Sequence, residues 1–306
     1  MAYPTPQVTK TTAATFIPEI WSDEVVAAYK KHLVAANLFK KMSFKGKKGD
    51  TVNIPSPTRG AASVKAASTA VTLIAATETN IPVLIDKHYE YSRFIEDIVE
   101  VQALSSLRRF YTDDAGYSLA KQIDTDMVQL GRTFNGGAAT AAYTGGYAGG
   151  DGTTAYVAAS NNQSALTDAA IRRTIQRLDD NDVPTDGRFF MIPPSARNTL
   201  MGLDRYTAMD FVGEAGNANT IRNGQIGNLY GMPVYVTSNC DTTSGSAAAR
   251  VALMGHKDAA VLVEQLGIRS QTQYKQDYLS TLYTSDTIYG VKELRDNSAF
   301  ALVVPA

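Results

Sequence analysis

At 306 residues the chain is long enough for one large domain or two ordinary ones with a real core, and a content of 44 % hydrophobic and 19 % charged residues excludes a disordered or membrane-embedded chain. Lys and Arg total 29 against 30 Asp and Glu, a net charge of -1, which excludes the clear basic excess of a tight nucleic-acid binder. Any DNA contact is expected to be weak or confined to one face. The one cysteine, Cys240, rules out an internal disulfide framework and fits a reducing cytosol. No apolar run reaches the length of a membrane span, and the opening MAYPTPQVTKTTAATF lacks the charged start and apolar stretch of a signal peptide, so synthesis and assembly are expected in a cytoplasm.

Residues 1–16, rich in Thr, Ala and Pro, read as a flexible or extended arm. A helix is predicted from Pro18 to Ala36, with Pro18 in its first turn, Glu19, Asp23 and Glu24 near its positive end, and Trp21, Val25, Ala28, Tyr29 and Leu33 on one face. Lys40, Lys41, Lys45, Lys47 and Lys48 then cluster before the turn signal Gly49-Asp50. Val52 and Ile54 alternate over Thr51–Pro55, a Pro/Ser/Ala/Gly/Thr loop fills 55–72, and a return strand is predicted from Glu78 to Tyr91. Along it Ile81, Val83, Ile85, Tyr89 and Tyr91 share one side, and Pro55 and Pro82 mark edge-type strands. The whole is a two-stranded hairpin with one modest apolar face, marginal in water unless it lies on something.

The clearest helix spans Val101 to Arg132, where Leu104, Leu107, Tyr111, Ala115, Leu119, Ile123, Met127 and Leu130 step by three and four; Gly116 is a candidate bend. Residues 135–164 are of low complexity and are expected to form a flexible loop or linker. A compact α/β pattern follows. Thr167 caps a helix to Asp180 with Ile171, Ile175 and Leu178 inward, Arg188–Ile192 is a buried strand, and Ser195 N-caps a helix through Leu203. Further strands are predicted at Val234–Thr237, Val251–Met254, Ala260–Glu264, Gly267–Tyr278, Thr287–Leu294 and Ala299–Val304.

A search for chemistry finds none. His32, His88 and His256 sit in no metal-ligand spacing, and ordinary helix, strand and loop roles explain them. Ser195 lacks the GxSxG elbow of a hydrolase. Neither Gly46–Thr51 nor the glycines of 145–152 have a phosphate-loop spacing or context. Asp124 and Asp126 are two apart on a helix and cannot face each other as a catalytic pair. The lysines of 40–48 read either as the start of a solvated strand or as a contact for acidic groups on a neighbouring subunit; no aromatics interleave as in single-strand binders.

The order of parts, with Phe16-Ile17-Pro18-Glu19-Ile20-Trp21, Gly49-Asp50-Thr51-Val52-Asn53-Ile54-Pro55, Phe190-Met191-Ile192-Pro193-Pro194 and Gly224-Gln225-Ile226-Gly227-Asn228-Leu229-Tyr230-Gly231-Met232-Pro233-Val234-Tyr235-Val236, resembles the major capsid proteins of tailed bacteriophages with the Hong Kong 97-type fold. The resemblance implies an α+β fold in four parts: an N-terminal arm and helix (1–40), an E-loop (41–92), a P-domain with a long spine helix (93–165 and 262–306), and an A-domain (166–261). It implies an icosahedral shell built of homo-hexamers and homo-pentamers around packaged double-stranded DNA. Its expected partners are a scaffolding protein, a portal protein and a decoration or cement protein, with no cofactor, metal, catalytic residue or membrane. Lys45, Lys47, Lys48, Val52, Ile54, Ile81, Val83 and Ile85 become the expected subunit-interface set, and Gly227, Gly231 and Pro233 an A-domain motif. Some members crosslink a loop lysine to an asparagine of a neighbour; Lys45, Lys47, Lys48 or Lys65 could supply one side here and Asn297 the other, but no local signature requires it. An encapsulin nanocompartment shares the fold. An α/β enzyme built on 166–261 would need convergent polar side chains that the sequence does not offer, and a virion tube protein would be mostly strands.

Overall fold

The computed structural model describes residues 33–46, 48–57, 60–71, 73, 78–96, 106–203, 227–245 and 249–306. The arm, all but the end of the first predicted helix, His32, Lys47 and Gly224 to Ile226 lie outside these residues.

Two sheets and one long helix make the body. The helix α2 (Ser106–Gln129) follows the short turn α1 (Ala35–Leu38) and ends in a 3-10 turn at Leu130–Arg132. It spans about 36 Å at roughly 1.5 Å per residue. The predicted stripe is its buried face: Ala115, Leu119, Ile123 and Met127 are all buried, and Gly116 sits within unbroken helix.

A six-stranded sheet carries the α/β block. It comprises β5 (Tyr147–Ala148), β6 (Arg188–Ile192), β7 (Asn228–Leu229), β8 (Met232–Val236), β9 (Ala249–His256) and β12 (Ala299–Pro305), in the order β5-β12-β9-β6-β8-β7. Both its faces are covered, which is why Arg188–Ile192 is buried at every position. Phe190, Ile192, Ala252, Met254, Phe300 and Leu302 pack against α3 (Asp168–Asp180) and α4 (Pro194–Met201). Phe189, Met191, Leu253, Ala301 and Val303 pack against Ile123, Met127 and Val128 of α2. Thr167 caps α3 as predicted, accepting from the Ala170 N–H. Ser195 does not cap α4; Pro193 holds that position, and the Ser195 hydroxyl instead donates to the Pro305 carbonyl at 2.7 Å, tying the helix to β12.

The second sheet has the order β1-β10-β11-β4, from β1 (Lys40–Ser43), β10 (Ala260–Lys275), β11 (Ser280–Glu293) and β4 (Lys87–Glu96). Two strands predicted separately, Ala260–Glu264 and Gly267–Tyr278, are halves of β10, joined through register irregularities between Glu264 and Arg269 that let one strand bend and continue. Conversely, the return strand predicted over 78–91 is two strands: β3 (Glu78–Leu84) pairs only with β2 (Thr51–Pro57), whereas β4 belongs to the four-stranded sheet. The break at Ile85-Asp86 is where the hairpin lifts out of the sheet across β11. A Cβ on Gly290 would lie 2.1 Å from the Leu84 carbonyl oxygen, so only glycine permits the crossing.

The 262–306 stretch divides between the sheets, since β12 pairs with β9 and β5. The low-complexity segment 135–164 is not a loose linker. Tyr143 and Tyr156 are buried in the core, and a Cβ at Gly145 or Gly149 would meet backbone oxygens at 2.3 and 2.6 Å, so glycine here serves close packing.

Two glycine substitutions separate these effects. Gly290→Ala should lower unfolding stability by about 2–3 kcal/mol through the backbone clash. Gly116→Ala, with open space around it, should raise stability by about 1 kcal/mol through helix propensity. Urea unfolding of the unassembled chain reads both.

Candidate assembly surface

The hairpin β2–β3 pairs Thr51 with Leu84 through Pro57 with Glu78. Thr79 donates to the Ser56 carbonyl at 2.9 Å, and Asn80 Nδ2 to Asn53 Oδ1 at 3.1 Å. Its root has a small core of its own, which the sequence does not reveal. Val83 is fully buried against Val261 and Val263 of β10, with Val52, Ile54 and Ile85 partly buried around them. Burying one such valine contributes about 1.5–3 kcal/mol. Val83 is therefore an anchor within the subunit, and Val52, Ile54 and Ile85 are shared between that anchor and the surface. Farther out, Ile81 and Ile54 line a cleft of about 540 Å³ whose opposite wall is polar, with Lys40, Asp182, Asp258 and Arg295. Beyond it the loop is bare: Val64 is 100 % exposed, Leu73 89 % and Val71 65 %.

Among the predicted lysines, Lys45, Lys48 and Lys65 are exposed, and Lys45 reaches over Gly267. Asn297 is exposed in the middle of the short turn Asp296–Ser298, its carbonyl 3.5 Å from Asn181 Nδ2. The motif around Gly231 forms a tight turn. Tyr230 and Gly231 both have positive φ, 49° and 82°, as a two-residue hairpin requires, and Pro233 lies opposite Asn228. The Gly227 carbonyl accepts from the Val234 N–H at 3.1 Å, and the Tyr230 hydroxyl donates to Asp168. These residues seat β7 and β8 at the sheet edge beside α3.

The polar ties that hold this framework escape sequence reasoning, because their partners are far apart in the chain. Asp126, nearly buried on α2, accepts from the Tyr289 hydroxyl at 2.7 Å, Lys87 Nζ at 2.9 Å and Gln122 Nε2 at 3.0 Å. Burial and that carboxylate hold the Tyr289 hydroxyl far above the usual phenol range, so it remains a donor. Asp124, two residues earlier, accepts from Asn239 Nδ2 at 2.9 Å and the Ala36 N–H at 3.2 Å. One carboxylate thus binds the helix to β4 and β11, the other to the α/β block. At the helix end Arg132 grips Asp241 through two bonds of 2.7 and 3.0 Å, and the Tyr143 hydroxyl donates to the same carboxylate.

The groups that might suggest catalysis have structural partners. His256 is buried between the Asp186 carbonyl and the Asp258 N–H, and His88 lies 3.3 Å from Asp286. The Cys240 thiol donates to the Thr237 carbonyl, and burial pushes its pKa up to about 12. Among the described residues no cluster of three or more His, Cys, Asp or Glu could hold a metal, and no helix is long and apolar enough to cross a membrane.

Comparison with known proteins decides the family: the profile of the phage capsid protein family matches residues 93–301, more than half of the chain. The chain belongs to that family. This capsid protein is similar to a solved structure from Mycobacterium phage Che8, at 26 % identity and a TM-score of 0.74, covering 94 % of this chain and 97 % of that one. It also resembles the capsid of cyanophage P-SCSP1u (18 % identity, TM-score 0.75, 96 % and 94 % covered) and the mature capsid of bacteriophage PhiM1 (14 %, 0.70, 94 % and 92 %), likenesses of fold alone. A search among curated proteins finds no match. The capsid protein is a structural shell protein of a tailed phage, and its place is the virion capsid. The nanocompartment and enzyme readings are not favoured.

The capsid protein's internal ties make two expectations. Asp126→Ala strands the Tyr289 hydroxyl and Lys87 together and should cost about 2–4 kcal/mol, whereas Tyr289→Phe should cost about 1 kcal/mol, both read as a lower urea midpoint at unchanged slope. Cys240 should resist a thiol reagent at pH 8 in the folded chain and react at once in denaturant, measured by absorbance.

Proposed function

We propose that this capsid protein closes its shell by laying the hairpin of residues 41–92, an E-loop, across the neighbouring subunit. The observation that carries this is the loop beyond a root anchored by Val83, where Val64, Val71 and Leu73 are exposed among the described residues. In this reading α2 is the spine of a P-domain over 93–165 and 262–306, the last strand of which runs back into the six-stranded sheet. Residues 166–261 are an A-domain gathered around five-fold and six-fold axes, and 1–40 an N-terminal arm. Copies assemble as homo-hexamers and homo-pentamers in the host bacterial cytoplasm, with a scaffolding protein, a portal protein and a decoration or cement protein as partners. Many modest contacts then sum over a closed shell. The net charge of -1 suits a wall that encloses double-stranded DNA through weak, non-specific contact without binding it tightly. Val52, Ile54, Ile81 and Ile85 supply the partly buried face of the clasp, and Lys45, Lys47 and Lys48 its charged root. Catalysis has no part in this role.

Deleting residues 56–72 tests the clasp. The shortened chain is expected to remain soluble with a folded α/β block by circular dichroism, yet to form no closed particles by electron microscopy. Normal icosahedral particles would refute the role of the loop.

A further inference from the structure

Two short turns carry the chain directly from one sheet to the other, and they lie together beside the end of the long helix. Lys257–Ala259 leads β9 into β10, and Asp296–Ser298 leads the end of β11 into β12. The Leu294 and Arg295 N–H groups donate to the Ala259 carbonyl at 2.8 and 3.1 Å, which binds one crossing to the other. From the stretch after α2, the Asn135 N–H donates to the Asp296 carbonyl at 3.2 Å. The Gly136 N–H donates to both Asp296 carboxylate oxygens, at 2.8 and 3.0 Å. Asn135 and Gly136 form a tight turn with φ of 58° and 69°, closed by the Gly137 N–H on the Phe134 carbonyl. The joint is polar, and Asp296 is its centre.

Glu293, the last residue of β11, turns a half-buried carboxyl into this joint, where it hydrogen-bonds with Thr133 and with the Asp296 carboxyl. Two ionised carboxylates are acceptors only, so a bond between them requires one proton. Asp296 already accepts from Gly136 with both oxygens, as an ionised group does. The proton therefore resides on Glu293. Burial first, and then the neighbouring Asp296 charge, hold the Glu293 carboxyl above the usual range, against the opposing pull of Thr133 and the Lys292 ammonium. Thr133 from the helix end and Ala260, opposite on β10, bring no charge. Arg295, two residues on, lines the cleft beside Ile54 and Ile81.

We infer that Glu293 and Asp296 form a proton-operated latch at the joint of the two sheets. With one proton between them the carboxyls hold together, and Asp296 stays on the Gly136 N–H. With both ionised, like charges three residues apart repel across the turn, and the tie from Asp296 to the helix end loosens. The folded chain holds this proton more tightly than the unfolded chain. The latch's contribution is therefore full below the ordinary glutamate range and is lost as pH rises through the raised range. The latch belongs to the body of a single copy, so it stands or falls independently of the hairpin clasp.

Hydrogen–deuterium exchange of the full-length, unassembled chain tests the latch. It is read on the peptide covering 133–137 at about pH 5 and about pH 8, corrected for the intrinsic pH dependence of exchange. The wild-type peptide is expected to lose protection severalfold at the higher pH. Glu293→Gln carries an amide that donates to Asp296 at either pH, so its protection should be the same at both. Wild-type protection that does not change between the two overturns the inference without any variant. A folded Glu293→Gln chain that loses protection as the wild type does overturns it as well, because the change then has another source.

Discussion

A two-stranded hairpin has one apolar face and no second layer, and this constraint governs the rest of the molecule. The chain meets it at one end by folding Val83 onto Val261 and Val263, so the hairpin root is fixed on its own sheet. It leaves the other end open, with Val64 and Leu73 in water. Such an arrangement is a poor solution for a monomer and a good one for a subunit. The anchored root fixes the direction of the arm, and the bare loop retains apolar surface that a neighbour can cover.

An arm is useful only on a stiff platform. The helix Ser106–Gln129 provides it by touching both sheets at once. Its apolar stripe packs under the six-stranded sheet, while Asp124 and Asp126, pointing to different partners, tie it to Asn239 on one side and to Lys87 and Tyr289 on the other. Buried carboxylates are costly unless their lone pairs find donors, and here the donors come from α1, β4, β11 and the segment after β8. Those ties orient the sheets relative to each other more sharply than apolar packing alone would.

Much of this was legible in the sequence where the signal is local. The cap at Thr167, the all-apolar strand Phe189–Ile192 with its Arg188 start, and the three-and-four stripe of the long helix are each written within one element. What stayed hidden depends on distant partners. Alternation runs unbroken through Ile85, so nothing in 78–91 announces that the chain changes sheets; the reason is Gly290, two hundred residues on. The glycines of 145–152 look like a linker because their close packing against backbone oxygens leaves no apolar pattern. The anchor of Val83 and the partners of Asp126 were likewise invisible, since β10, Lys87 and Tyr289 are brought there only by the fold. The candidate interface was legible as a region, not as a division between residues that hold the arm and residues that it offers.

The central claim is that loop 60–73 passes from water to cover when copies assemble. Hydrogen–deuterium exchange read by mass spectrometry, on assembled particles and on the unassembled chain, tests it directly. The account predicts that peptides from 60–73 exchange fast in the free chain and become protected in particles. Particles in which 60–73 exchanges as fast as in the free chain would contradict it.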